Sequence, residues 1–211
     1  MKTTGKMIRA CAPVVPLLLW TPGLALAHHF MDGNLPQTFV EGLLSGLGHP
    51  LIGLDHATFI IAAGFLLALV PGGLWGIAAL IAGSLTGAAL HLSGLNLPGG
   101  ETGVALSVLL IGVLVMLHQR FALSWLAAGL ALAGVLHGHA YAETIFGAEP
   151  APLGAYLLGF SVIQFGVAAA AWLAHRRLIA TRESWAAPLA TLLGTLAGSI
   201  GMAFLYVNLA V

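Results

Sequence analysis

The sequence predicts an all-α, polytopic membrane bundle of six transmembrane helices after a cleaved signal peptide. Three observations predict it. Of 211 residues, 59% are hydrophobic and 7% charged, with a mean hydropathy of +1.00. Soluble domains carry about 25% charged residues, so this composition cannot cover a water-facing surface. Long apolar stretches recur, each able to cross a hydrocarbon core ~30 Å thick at about 1.5 Å per residue. The chain also opens with the form of a secretory signal. Its zero formal net charge speaks against a nucleic-acid partner, which needs a basic surface.

The signal is read first. Lys2, Lys6 and Arg9 form a positive region, and Cys11 to Leu26 is mostly apolar, broken by Pro13, Pro16 and Pro22. Ala25-Leu26-Ala27 is a small-x-small cleavage pattern. The spacing predicts a signal peptide over 1–27 and a six-helix transmembrane domain over 28–211, with His28 as the mature amino terminus. Cys11 is the only cysteine and leaves with the signal. Disulfides and thiolate metal sites are thereby excluded from the mature chain.

Residues 28–36 read as a short polar arm. Thr38 to Leu47 suits an amphipathic or interfacial helix with Glu41 on its wet side. The apolar stretches run over about 50–70, 74–95, 102–118, 122–142, 152–175 and 185–208. All are expected to be helical, because backbone groups in lipid must be satisfied within their own segment. In the first, Pro50 suits the opening turn and His49 stands near the N-cap. Gly83, Gly87, Ala88, Gly112, Gly129, Gly134, Gly194, Gly198 and Gly201 predict close helix contacts.

Orientation follows from charge. The cations of 28–211 are Arg120, Arg176, Arg177 and Arg182. With the amino terminus outside, Arg120 falls between the third and fourth stretches and the other three between the fifth and sixth, so all are cytoplasmic, as positive-inside insertion requires. The signal peptide demands the same orientation. The two halves then run in opposite directions, which permits an inverted repeat, although no sequence match between them supports one.

On this topology the histidines and acids collect on the outer side. Asp32, Glu41, His49, Asp55 and His56 precede or open the first stretch, and His91 ends the second. Glu101 opens the third, and His137, His139 and Glu143 end the fourth; only His118, His175 and Glu183 fall inside. Ionisable groups within a bilayer-length segment are costly and mark functional sites. No outer lysine or arginine is present to neutralise Asp55, which favours a cation ligand. In a straight helix His49 and His56 would lie ~10 Å apart along the axis and would share an ion only if the chain bent, as at Gly53. His139 and Glu143 are four apart and share a helix face, whereas His137 points elsewhere. His28 and His29, beside a free amine, can chelate a divalent ion. Imidazole and carboxylate without thiolate suit nickel, cobalt, zinc or copper(II). His91, Ser161 and Gln164 could line a path inward.

The sequence resembles the HupE/UreJ family, hydrogenase and urease accessory membrane proteins regarded as nickel or cobalt permeases. The residues that carry the resemblance are Ala27-His28-His29, the run His49-Pro50-x-x-Gly53-x-Asp55-His56, and His137-Gly138-x-Ala140-Tyr141-x-Glu143, followed by Gly147-Ala148-Glu149 and Pro152-Leu153. Ala142 stands where glycine is common, and His139 occupies a variable position. The resemblance implies that His49, Asp55, His56, His137 and Glu143 serve uptake of Ni2+ or Co2+.

The expected function is therefore a secondary permease in the bacterial inner membrane. Its partners are a divalent metal ion and the bilayer, with a homo-oligomer allowed. No phosphate-binding G-x-x-x-x-G-K-[S/T] loop is present, nor a His-Glu-x-x-His zinc signature, nor a Gly-x-Ser-Gly nucleophile. The alternatives are a metal-binding sensor or scaffold facing the periplasm and an intramembrane enzyme.

Overall fold

The computed structural model describes residues 34–118 and 120–210. Among them are seven α-helices and no strand: α1 (Phe39–Ile52), α2 (Leu54–Leu67), α3 (Gly73–Leu92), α4 (Gly100–Met116), α5 (Leu123–Glu143), α6 (Pro150–Thr181) and α7 (Glu183–Ala210). Four of them, α3, α5, α6 and α7, are long and apolar enough to cross a membrane. Helices α1 and α2 together make a fifth candidate, bent by 78°, and α4 is shorter. Residues 1–33 lie outside the described part, and with them the predicted signal peptide, Asp32, His28 and His29.

The beginning of the bundle departs from the sequence reading. The stretch 50–70 is not one helix. Pro50 lies in the last turn of α1 rather than the first turn of a span, and the chain turns at Gly53 in an extended conformation (φ −68°, ψ 108°) before α2 begins. Two features make the break. Proline has no N–H to continue the helical ladder. A Cβ on Gly53 would stand 2.6 Å from His56 Cδ2 and 3.2 Å from Asp55 Oδ1, so only glycine lets those side chains fold back over the corner. One face of α1, with Gly42, Ser45, Gly46, His49 and Pro50, is buried. Its start is a capping box in which Thr38 accepts from the Glu41 N–H and Glu41 accepts from the Thr38 N–H.

The α2 helix is the axis of the molecule. It packs against α3, α4, α6 and α7, and Phe59, Ile60, Ala62, Ala63, Leu66 and Leu67 are all buried. A helix apolar on every side belongs inside a bundle. Around it the helices pair through glycines. Carbonyls of Pro152 and Tyr156 in α6 occupy the space that a Cβ on Gly42 or Gly46 would need, and the Ala168 carbonyl does the same at Gly64. The numbers rise together, so α1 and α2 run parallel to α6. Likewise Ala131 abuts Gly83 and Val135 abuts Gly87, making α3 and α5 parallel. In the third pair Gly112 meets Gly194 and Gly198 while Gly201 meets Leu109, so α4 and α7 are antiparallel. The expected small-residue contacts are present, except that Gly129 faces open space.

Polar groups sort to the two ends. Arg176 and Arg177 lie within α6, which runs further than the expected 152–175 stretch, and Arg182 caps it. Arg176 stacks on Trp172 at 5.1 Å. At this end His175 bonds the Phe65 carbonyl at 2.8 Å and His118 bonds the Ala187 carbonyl at 2.9 Å, joining the ends of α2, α4, α6 and α7. The remaining described histidines gather at the other end.

Candidate metal centre

The break at Gly53 does what a straight helix could not. It folds His49, at the end of α1, toward His56, in the first turn of α2, so that the ring centroids stand 5.9 Å apart. His56 then meets His137 of α5, Nδ1 to Nδ1, at 2.8 Å. Two nitrogens each about 2.1 Å from one ion, at right angles, stand about 3.0 Å apart, so the pair is already at ligand spacing. Asp55 is buried beside them, and its Oδ1 accepts the His56 N–H at 2.8 Å. His49, Asp55, His56 and His137 are each at most 3% exposed. The field of the corner also suits a cation: α1 ends there with the negative pole of its dipole, and α2 begins with a carboxylate on its positive pole. Discontinuous helices of this kind form ion sites in membrane transporters.

Neighbouring hydroxyls set which nitrogen of each ring carries hydrogen. Ser107 of α4 donates to the Val104 carbonyl at 2.7 Å, so its oxygen accepts from His137 Nε2 at 2.9 Å. His137 then holds its hydrogen on Nε2 and turns a lone pair on Nδ1 toward His56. Around His49 the same logic applies. Tyr156 and Thr144 both donate to the Tyr141 carbonyl, at 2.8 and 3.0 Å. His49 Nδ1 lies 3.0 Å from the Tyr156 hydroxyl and 3.1 Å from Thr144 Oγ1, so Nδ1 is its N–H and Nε2 its lone-pair nitrogen. Such outer partners fix the tautomer and orientation of ligating histidines.

Tyr141 closes the centre. Its ring lies edge-on to His56 and His49, with centroids at 4.6 and 5.2 Å, and Phe59 covers His137 at 4.3 Å. Tyr141 is fully buried. Its hydroxyl has no hydrogen-bond partner among the described residues, an orphaned polar atom facing a nitrogen-rich cluster. His56 and His137 close together, a buried carboxylate beside them and no thiolate are donors of the kind a borderline divalent ion takes.

The other described site candidates are placed elsewhere. His139 and Glu143 leave α5 on a different face and meet His91 of α3. Gln164 is buried opposite Ser84, whose hydroxyl lies 3.2 Å from its Oε1. Ser161 bonds the Leu157 carbonyl of its own helix and lines nothing with the others. Sequence reasoning missed Ser107, Thr144 and Tyr156. Of these only Thr144 and Tyr156 had a signal in the chain, being hydroxyls that flank the His137–Glu143 segment and the Pro152-Leu153 run.

Comparison with known proteins agrees with the geometry. A family model described as HupE / UreJ protein matches residues 16–204. Protein HupE of Rhizobium leguminosarum bv. viciae is 32% identical over 122 residues, 57% of this chain and 60% of that protein. The chain thus aligns with less than two thirds of that relative's length. No solved structure matches. With the family model spanning nearly the whole chain and the His49–His56 run folded into one buried cluster, the chain belongs to the HupE/UreJ family.

Proposed function

We propose that the protein is a secondary permease of the bacterial inner membrane that takes up divalent nickel or cobalt. The observation that carries this reading is the convergence of His49, Asp55 and His56 at a broken helix with His137 of α5. A hydrated divalent ion cannot enter lipid, and these donors replace its water shell at membrane depth. Their buried position suits an ion in transit better than a surface sensor. The donor set leaves nickel and cobalt unresolved, since both accept imidazole and carboxylate. The chain is a transporter in this reading and carries out no catalysis.

The remaining parts of the proposal are topological. Residues 1–27 form a cleaved signal, and His28 and His29 lead the mature chain on the periplasmic side. The chain crosses the membrane six times, with α1–α2 as the first crossing and α4 as the third. The helix directions support this: α6 parallels α1–α2, α5 parallels α3, and α7 opposes α4, as alternate crossings require. The arginine-bearing end is cytoplasmic by the positive-inside rule.

The test is flux of radioactive nickel into sealed, inside-in vesicles. An Asp55→Ala, His56→Ala double variant, inserted to wild-type level, is expected to lose uptake. Undiminished uptake would remove the buried cluster from the transport route. Nickel bound at wild-type stoichiometry with no flux in the wild-type chain would favour a sensor or scaffold instead.

A further inference from the structure

The face of α5 that carries His139 and Glu143 holds a second constellation, separate from the buried centre. His137 and His139 are two positions apart, so they leave the helix about 200° apart, one toward α2 and α4 and the other toward α3. His91, in the last turn of α3, lies with its Nδ1 3.2 Å from His139 Nε2. Glu143 Oε1 is 3.6 Å from His139 Nδ1. One ligand atom from each of the three side chains falls within 4.8 Å of the others. Unlike the first cluster, this one reaches water: Glu143 is exposed and His91 half-buried, while His139 is buried.

The surroundings of His139 point to a ligand. Its Nδ1 is buried and has no hydrogen-bond partner among the described residues. Its Nε2 has a backbone partner for either tautomer, both in the loop between α3 and α4. The Leu97 N–H lies 3.1 Å away and serves when Nε2 accepts; the Leu95 carbonyl lies 3.2 Å away and serves when Nε2 donates. In the second state Nδ1 turns a lone pair toward Glu143. Histidines that ligate metals characteristically donate their other N–H to a backbone carbonyl. Two donors about 2.1 Å from one ion stand at most about 4.2 Å apart, which the 3.6 Å spacing meets. The three ligand atoms start within 4.8 Å of one another, and the exposed Glu143 and half-buried His91 are the side chains with room to close on an ion.

We infer that His91, His139 and Glu143 form a second divalent-cation site, half exposed at the outer end of α3 and α5, which binds a borderline ion such as Ni2+ independently of the buried centre. Two imidazoles and a carboxylate, with the remaining positions open to water, give a site that exchanges its ion with the medium. It stands on its own donors and does not require that the buried centre transport anything.

Equilibrium dialysis of purified, detergent-solubilised full chain against radioactive nickel tests it. Wild type is expected to bind two ions per chain. A His91→Ala, Glu143→Gln variant, altered only at the two more accessible ligands, is expected to bind one. An Asp55→Asn, His56→Asn variant is expected to bind one as well, and the four-fold variant none. Should the His91/Glu143 variant bind as many ions as wild type, with the same affinity, the second site is refuted. Should each pair by itself abolish all binding, the two clusters act as one and the inference fails. If the His91/Glu143 pair lowers the count and the Asp55/His56 pair does not, the outer site stands and the buried centre falls. His139→Asn, checked by circular dichroism and size-exclusion profile, must reproduce the His91/Glu143 result, because the inference fails if it leaves the count unchanged.

Discussion

At the scale of single residues, the centre depends on side chains that would never touch an ion. Ser107 holds the His137 hydrogen on Nε2, so Ser107→Ala removes the group that aims Nδ1 at His56. Nickel affinity of the buried centre is expected to fall about 10–100-fold, the usual effect of losing an outer partner, with the chain still inserted. Ser107→Thr, which keeps the hydroxyl, is expected to restore most of it; equal loss in both variants would mean that packing rather than hydrogen placement is at stake. On the other side of the centre, Tyr156→Phe removes one hydroxyl from His49 Nδ1 and keeps that of Thr144. A loss of about 1 kcal/mol in thermal stability is expected, rising when Thr144→Val is added, measured by unfolding in detergent. The sequence disclosed the ligands at this scale because histidine and aspartate are conspicuous among apolar neighbours. It did not disclose Ser107, since an isolated serine within a span reads the same whether it bonds its own helix, as Ser161 does, or a histidine across the bundle.

At the scale of elements, the decisive feature is the corner between α1 and α2. Gly53→Ala places a methyl group against His56 and Asp55 and is expected to abolish nickel uptake in the vesicle assay while α1 and α2 remain helical. The glycines of the helix pairs make a contrasting prediction. A Cβ on Gly138 would overlap the Ser84 carbonyl of α3, and one on Gly87 the Val135 carbonyl of α5. Alanine at either position forces backbones apart and is expected to cost about 1–3 kcal/mol or more. Gly129→Ala meets nothing within 4 Å and is expected to be neutral, or to stabilise by up to about 1 kcal/mol through helix propensity. Thermal unfolding of the three variants checks both signs. Apolar length made these helices legible in the sequence. The corner was legible only as a condition: Pro50 and Gly53 were visible, but a proline three residues before a glycine can open a helix as readily as close one. The run of α6 past His175 was hidden because its arginines read as a loop.

At the scale of the whole molecule, the ends of the bundle differ in character, with arginines at one and most described histidines at the other. Cys11 is the only cysteine, so single cysteines can be introduced after replacing it. Residues in 93–99 and 144–149 are expected to react with an impermeant maleimide from outside the cell, and residues near Arg120 and Arg182 only after lysis; the reverse pattern would invert the chain. This polarity was legible in the sequence through the arginines. The division of the histidines into two clusters was legible only in part. The angular offset of His137 from His139 follows from helix geometry, but which partner each would meet depends on how α3 and α4 pack around α5, and no local pattern encodes that.

The parallel pairing of α3 with α5 and of α1–α2 with α6 bears on how the protein is made. Each of these helices lines up with one that is translated only after another has been threaded in the opposite direction. His56 therefore meets His137 only when α5 emerges, and the Tyr156 hydroxyl reaches His49 later still, with α6. A nascent chain halted before Leu123 carries His49, Asp55 and His56 into the bilayer with neither His137 nor Tyr141 to receive them. If the buried centre holds an ion as proposed, that competence is acquired late in synthesis, once α5 and α6 are in place.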